Sequence, residues 1–214
     1  MSRHLHHTFL ARCMSSSTSS KVPLLWKPDI DSATSISTLQ LLSWGRGSSG
    51  QLGGGIEEIR LHPTPVASFN LPSNYRLSPT TGFLPEPSTD SSSFEKLSIS
   101  EIGISCGFFH SSLLINGNLW MWGKGDGGRL GFGHENPAFS PTLNPNLDCV
   151  GSTALGGLHS VALTTLGDVY TWGYGGFGAL GHSIYTRELL PRMVSKAWSG
   201  KICQIATSGA HTAA

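Results

Sequence analysis

Charge is scarce in this sequence. Only 13% of the 214 residues are Asp, Glu, Lys or Arg, about half of the ~25% usual for a globular chain. The net charge is +1, and a balance so near neutrality gives no electrostatic footprint for duplex nucleic acid or an anionic membrane. No run of roughly 18 apolar residues occurs, so no membrane span is expected. Cysteine is sparse, at Cys13, Cys106, Cys149 and Cys203, without a C-x-x-C pair or a paired histidine spacing. A zinc site and a disulfide framework are therefore disfavoured, and the thiols read as small buried hydrophobes in a reduced compartment.

The first 28 residues lack something different. No carboxylate precedes Asp29 and no glycine precedes Gly45, while Arg3, Arg12, Lys21 and Lys27 stand among eight Ser or Thr. A short helix would carry Leu5, Phe9 and Leu10 on one side. Basic, Ser-rich and acid-free, residues 1–28 read as a mitochondrial transit peptide, disordered and removed by cleavage shortly after Arg12. Residues 29–214 form the remaining domain.

What the chain has in excess is glycine, 27 residues, nearly double the usual ~7%, and most of it lies in a repeated string. Trp-Gly-x-Gly-x-x-Gly-x-Leu-Gly occurs at Trp44 to Gly53, Trp122 to Gly131 and Trp172 to Gly181. The recurring positions are Trp44, Gly45, Gly50 and Gly53; Trp122, Gly123, Gly128 and Gly131; Trp172, Gly173, Gly178 and Gly181. A second element, a small residue three positions before a histidine, precedes the last two strings as Gly107 to His110 and Gly156 to His159, and returns in weaker form at Ser208 to His211. Trp122 and Trp172 are 50 residues apart. One supersecondary unit of that length is being repeated.

Between each histidine and its tryptophan lie two strand-like runs joined by a tight turn, Ser111 to Ile115 and Leu119 to Trp122 around Asn116-Gly117, then Val161 to Leu163 and Val169 to Trp172 around Leu166-Gly167. Alternation puts Trp120 with Trp122, and Tyr170 with Trp172, on one face of a sheet, with Met121 and Thr171 on the other. An aromatic face repeated once per unit has to be covered by the next unit. With further strands after each glycine-rich loop, four strands per unit describe a propeller blade. The expected class is all-β, a partial β-propeller of about three blades behind a disordered amino-terminal segment.

The same string satisfies G-x-G-x-x-G, but a pyrophosphate loop needs a helix to follow, and here Pro137, Pro141 and Pro145, or Arg187 to Pro191, follow instead. Triplication fits a structural turn. The repeated histidine likewise reads as a buried hydrogen-bonding post between blades. His110 and Ser111, like His159 and Ser160, are strand neighbours that point to opposite faces, so no catalytic, cofactor-binding or metal-ligating set is expected.

The order Gly-x-x-His-Ser, Gly-x-Val-Tyr-x-Trp-Gly, Gly-x-Leu-Gly-His and Pro-x-x-Val, clearest from Gly156 to Val194, resembles the repeat of the regulator of chromosome condensation family. That resemblance implies a seven-bladed propeller, of which this chain carries about three blades. Its repeats run from about Leu39 onward, broken by a Pro/Ser-rich insertion at about 67–98 that stretches the Trp44 to Trp122 spacing to 78. Trp44 lacks a preceding Gly-x-x-His and His211 lacks a following Trp strand, so the chain reads as a truncated product, a short isoform or a fragment, with exposed apolar faces at both ends.

The resemblance implies three kinds of role. A photoreceptor like the plant UV-B receptor is set aside, because its Gly-Trp-Arg-His-Thr is replaced here by Gly107-Phe108-Phe109-His110 and Gly156-Gly157-Leu158-His159. The leading expectation is a non-enzymatic mitochondrial scaffold for protein or RNA–protein partners, in organelle RNA processing or respiratory-complex biogenesis. The alternative is a guanine nucleotide exchange factor for a small GTPase. Variable positions of the glycine-rich loops, which project from one end of a propeller, are the candidate contacts: Arg46, Lys124, Asp126, Arg129, Tyr174 and Phe177.

Overall fold

Each blade grows from a hairpin whose two strands are largely buried on both sides. The computed structural model describes residues 22–28, 36–72, 102–195 and 198–214. One four-stranded antiparallel sheet contains β4 (Ile102–Cys106), β5 (His110–Ile115), β6 (Asn118–Gly123) and β7 (Ala138–Leu143) in that order, and a second contains β8 (Val150–Leu155), β9 (His159–Thr164), β10 (Val169–Gly173) and β11 (Glu188–Met193). The β5–β6 turn is Asn116-Gly117 with φ of 50° and 80°, the positive pair that matches the twist of a two-residue hairpin. Every residue of β5 and β9 is buried. A strand in this position has another sheet on each side.

The packing clusters show which sheets those are. Leu113, Ile115, Trp120 and Trp122 lie in one cluster with Leu41, Val66, Phe69 and Leu71. The opposite face of the same hairpin, Leu114, Leu119 and Met121, joins Leu130, Val150, Leu155, Ala162 and Trp172. Val161, Leu163 and Val169 then meet Ile205, with Val194, Trp198 and Ile202 around them. Three consecutive aliphatic and aromatic layers thus stack four sheets face to face. Each fully buried large side chain contributes about 1.5–3 kcal/mol by its removal from water.

The flanking sheets differ from the two regular blades. At the amino end β2 (Ile36–Gly47) pairs with β3 (Glu58–Pro72), which also takes β1 (Leu24–Trp26) in parallel. At the carboxyl end β12 (Ala206–Thr207) and β13 (Thr212–Ala213) form a two-stranded ladder.

Three expectations need correction. Residues 22–28 are not part of a disordered leader: Leu24 pairs with Ser68 and Trp26 with Phe69, and Leu25 and Trp26 pack on the first cluster, because this stretch is apolar where the preceding one is basic. Residues 1–21 lie outside the described residues. The insertion does not begin at 67, because Ala67, Phe69 and Leu71 are buried strand residues; its Pro/Ser-rich remainder from 73 to 98 is outside the described residues. Finally, Cys106, Cys149 and Cys203 are free and exposed instead of buried, since they sit at a strand end, in a turn with φ of 55° and in the loop before β12. Cys13 falls outside the described residues.

Candidate functional site

The glycine-rich string does two jobs, one inside the stack and one at its surface. Inside, the residue between the third glycine and leucine offers its carbonyl to the next blade. Gln51 O accepts from Trp122 Nε1 at 2.9 Å and from Ser111 Oγ at 2.9 Å. Arg129 O accepts from Trp172 Nε1 at 2.9 Å and from Ser160 Oγ at 2.8 Å. Ala179 O accepts from Thr212 Oγ1 at 2.8 Å. The indoles lie against Gly53 and Gly131, where any Cβ would collide with the Trp Nε1. Gly123 and Gly173 hold φ of 109° and 104°, and a Cβ there would strike the backbone of the histidine strand.

Each histidine is wired to the following blade. His110 Nε2 lies 2.9 Å from Ser160 Oγ, and His159 Nε2 lies 2.9 Å from Thr212 Oγ1. The single hydroxyl proton of Ser160 or Thr212 goes to a carbonyl, so each histidine must donate from Nε2 and keep Nδ1 bare. Both Nδ1 atoms are buried without a partner among the described residues. Burial, followed by the charge of Arg129 and the proximity of the His159 ring, pushes His110 down to about 3. Burial, followed by His211, also lowers His159. Neutral imidazoles therefore join the blades, while Ser111 turns away from His110 toward Gln51. The equivalent His211 is exposed, although Ser208 N donates to its carbonyl as Gly107 and Gly156 do to those of His110 and His159.

At the surface, the loops around Gly107 to Phe109, Lys124 to Asp126, Gly156 to Leu158 and Tyr174 to Phe177 meet. Lys124 Nζ sits 5.7 Å from the Phe109 ring centroid and pairs with Asp126 at 2.8 Å; the hydrogen bond from Lys124 holds the Asp126 carboxyl below its ordinary range. Phe108 and Phe109 contact edge-on at 6.4 Å, as do Tyr174 and Phe177 at 5.9 Å. Lys124 N bonds Phe109 O, and Tyr174 N bonds Leu158 O. Phe108 and Phe177 are about two-thirds exposed, at 67% and 65%, and no compensating cover exists among the described residues. Arg46 is exposed on β2 and borders a cavity of about 430 Å³ with Trp44, Gly107 and Phe108.

Arg129 is a correction. It does not project as a contact residue but is buried, donating from Nε to Asp126 O at 2.8 Å and from Nη1 to Gly157 O at 3.2 Å. Its guanidinium joins two loops of neighbouring blades. Phe108 and Phe109 were not among the expected contacts. Their signal was in the sequence, two aromatics between Gly107 and His110 where Gly157-Leu158 stand in the next repeat.

A family model for the regulator of chromosome condensation (RCC1) repeat matches residues 40–73, 116–163 and 167–214. The chain belongs to the RCC1-repeat family. It is 61% identical over 202 residues to RCC1 domain-containing protein RUG3, mitochondrial, of Arabidopsis thaliana, covering 91% of this chain and 42% of that protein. Among solved structures it resembles Prp20p from Saccharomyces cerevisiae, reported with its binding properties to Gsp1p and histones, at TM-score 0.55 and 22% identity over 79% of this chain and 38% of the other. Yeast RCC1 (Prp20) bound to Kap60 matches at TM-score 0.59 and 20% identity, covering 81% and 37%. These likenesses give the fold: the RCC1-repeat chain is all-β and corresponds to part of a propeller. It spans about two-fifths of the length of these relatives. The protein is mitochondrial, in agreement with the basic, acid-free amino end.

Proposed function

We propose that this RCC1-repeat protein is a non-enzymatic mitochondrial scaffold. It engages protein or RNA–protein partners through the loop end of its blades, in organelle RNA processing or respiratory-complex biogenesis. The observation that carries this reading is the uncovered aromatic cluster of Phe108, Phe109, Tyr174 and Phe177, flanked by Lys124 and Asp126. Exposed aromatics beside a few charges are the composition of a protein-binding hot spot. The glycines and Arg129 beneath them fix the loops, so little ordering entropy opposes binding.

The test is in-organelle crosslinking with the full protein and with a Tyr174→Ser/Phe177→Ser variant. Loss of the wild-type partners from the variant, at unchanged thermal stability, supports the scaffold. Retention of every partner overturns the role of this surface. Capture of a small GTPase whose nucleotide release the protein accelerates would replace the scaffold with an exchange factor.

A further inference from the structure

The charges beneath the exposed aromatics do not balance. Arg129 is 4% exposed, and the two groups it donates to are neutral carbonyls, Asp126 O and Gly157 O. Among the described residues no carboxylate pairs with it. The carboxylate that feels its charge is that of Asp126, and Lys124 already holds that group at 2.8 Å. Glu135, which reaches the same turn at Gly127 N, is matched by Arg187. Lys124 and Arg129 thus share one carboxylate, an excess of one positive charge where burial weakens screening. The place lies between the two regular blades, with packed sheets on both sides of it.

The two aromatic pairs stand around that charge. Phe108 covers Gly157, where a Cβ would meet its ring, and Tyr174 abuts Gly127 through its own Cβ. Lys124 Nζ lies over the Phe109 ring. The Phe108–Phe109 and Tyr174–Phe177 rings meet at 89° and 71°, so the pairs are crossed and one face is taken by the ammonium. Nucleobases stack on open aromatic faces along a basic groove. Here a carboxylate stands in the rim and the whole chain carries only +1, which disfavours a row of phosphates. A peptide needs neither feature: apolar side chains pack against ring edges as well as faces, and a single acidic residue supplies the one missing charge.

Resting on the scaffold reading of this surface, we infer that its partner is a protein segment carrying an acidic residue beside apolar ones. The partner's carboxylate takes the place of Asp126 on Lys124 Nζ, above the charge of Arg129. Asp126 is the stand-in until then. Its side chain is 57% exposed and sits between Gly125 and Gly127, and an exposed pair of this kind is worth little, so the carboxylate turns out to water at small cost. Removing the Asp126 charge therefore strengthens the partner's hold, an effect that a purely apolar contact does not produce.

Selection of random linear peptides on phage against the immobilised protein tests this, followed by fluorescence titration of the selected peptides. Asp and Glu are expected to be enriched among apolar residues. Converting the acidic residue to its amide weakens binding, as does Lys124→Gln, each by roughly three- to five-fold, the scale of a partly exposed charge pair. Asp126→Asn tightens it. A selection without binders, binders without acidic enrichment, or peptides that hold Lys124→Gln as tightly as the wild type overturn the inference and leave the aromatic surface in place. Peptides that bind Tyr174→Ser/Phe177→Ser undiminished overturn both the inference and the reading of the surface. An oligouridylate that displaces the peptides and binds more tightly assigns the site to RNA and overturns the inference as well.

Discussion

Trp122 and Trp172 are 2% and 0% exposed, whereas Trp44 in the same ten-residue string is 60% exposed. The difference between the regular blades and the amino-terminal sheet teaches that the string encodes a turn and a docking group but not its burial. In all three copies the leading glycine keeps φ between 104° and 109°. Among the described residues, only the second and third copies have a preceding blade for the indole to enter. The amino-terminal sheet instead runs long, with β2 and β3 of 12 and 15 residues interrupted by two register shifts, and recruits the parallel strand β1.

The largest way to sharpen that contrast is truncation of the tryptophans. Trp172→Ala should cost about 3–5 kcal/mol, the range for a large aromatic removed from a core. Trp44→Ala, measured in dilute solution by denaturant titration, should stay within about 0.5 kcal/mol. Equal losses at the two sites would break the comparison.

Next comes the leading glycine. Gly123→Ala pairs an unfavourable φ with collision against the backbone of Phe109 and His110, whereas at Gly45 nothing lies within 4 Å of a Cβ. The expected loss at Gly45 is the strain alone, about 1–2 kcal/mol, and Gly123→Ala should exceed it. Thermal melts of the two variants order them.

Acid should discriminate between the same regions. His110 is held down to about 3 in the folded chain and titrates near 6.5 when unfolded, and His159 is lowered also. Between those values the unfolded state binds more protons, so stability falls as the pH drops through 6.5 toward 3 and is unaffected above 6.5. The slope contributed by His110 is on the order of 1 kcal/mol per pH unit, and His159 acts in the same direction. His110→Asn should flatten part of this dependence, as read from denaturant titrations at successive pH values. The smallest effect belongs to the surface pair: Lys124→Ala should cost a few tenths of a kcal/mol at most, because both partners are about half exposed and screened. Stability measured with and without added salt checks it.

Much of the fold was legible because blades repeat. Period-2 alternation in Leu119 to Trp122 and Val169 to Trp172 predicted two-faced strands, and the 50-residue spacing predicted stacking. The amino-terminal boundaries were not legible. Composition averages over a window, so the apolar strand residues Leu24–Trp26 and Ala67 to Leu71 were absorbed into the basic and Pro/Ser-rich stretches beside them. Arg129 was misplaced for a related reason. A variable position in a repeated loop reads as surface, and nothing local shows that its guanidinium can reach the carbonyls of Asp126 and Gly157.

The sequence by itself determined the unit: a Trp strand, a turn whose glycines tolerate positive φ, and a histidine strand, because these follow from steric and pairing rules acting within a few residues. Tertiary structure alone decided which copies of that unit are satisfied. Burial, the lowered affinity of His110 for protons and the Trp hydrogen bonds to Gln51 and Arg129 all require a second blade 40 or more residues away. A local string can specify the donor, but only the stacked sheet supplies the acceptor and excludes the water that would otherwise take its place.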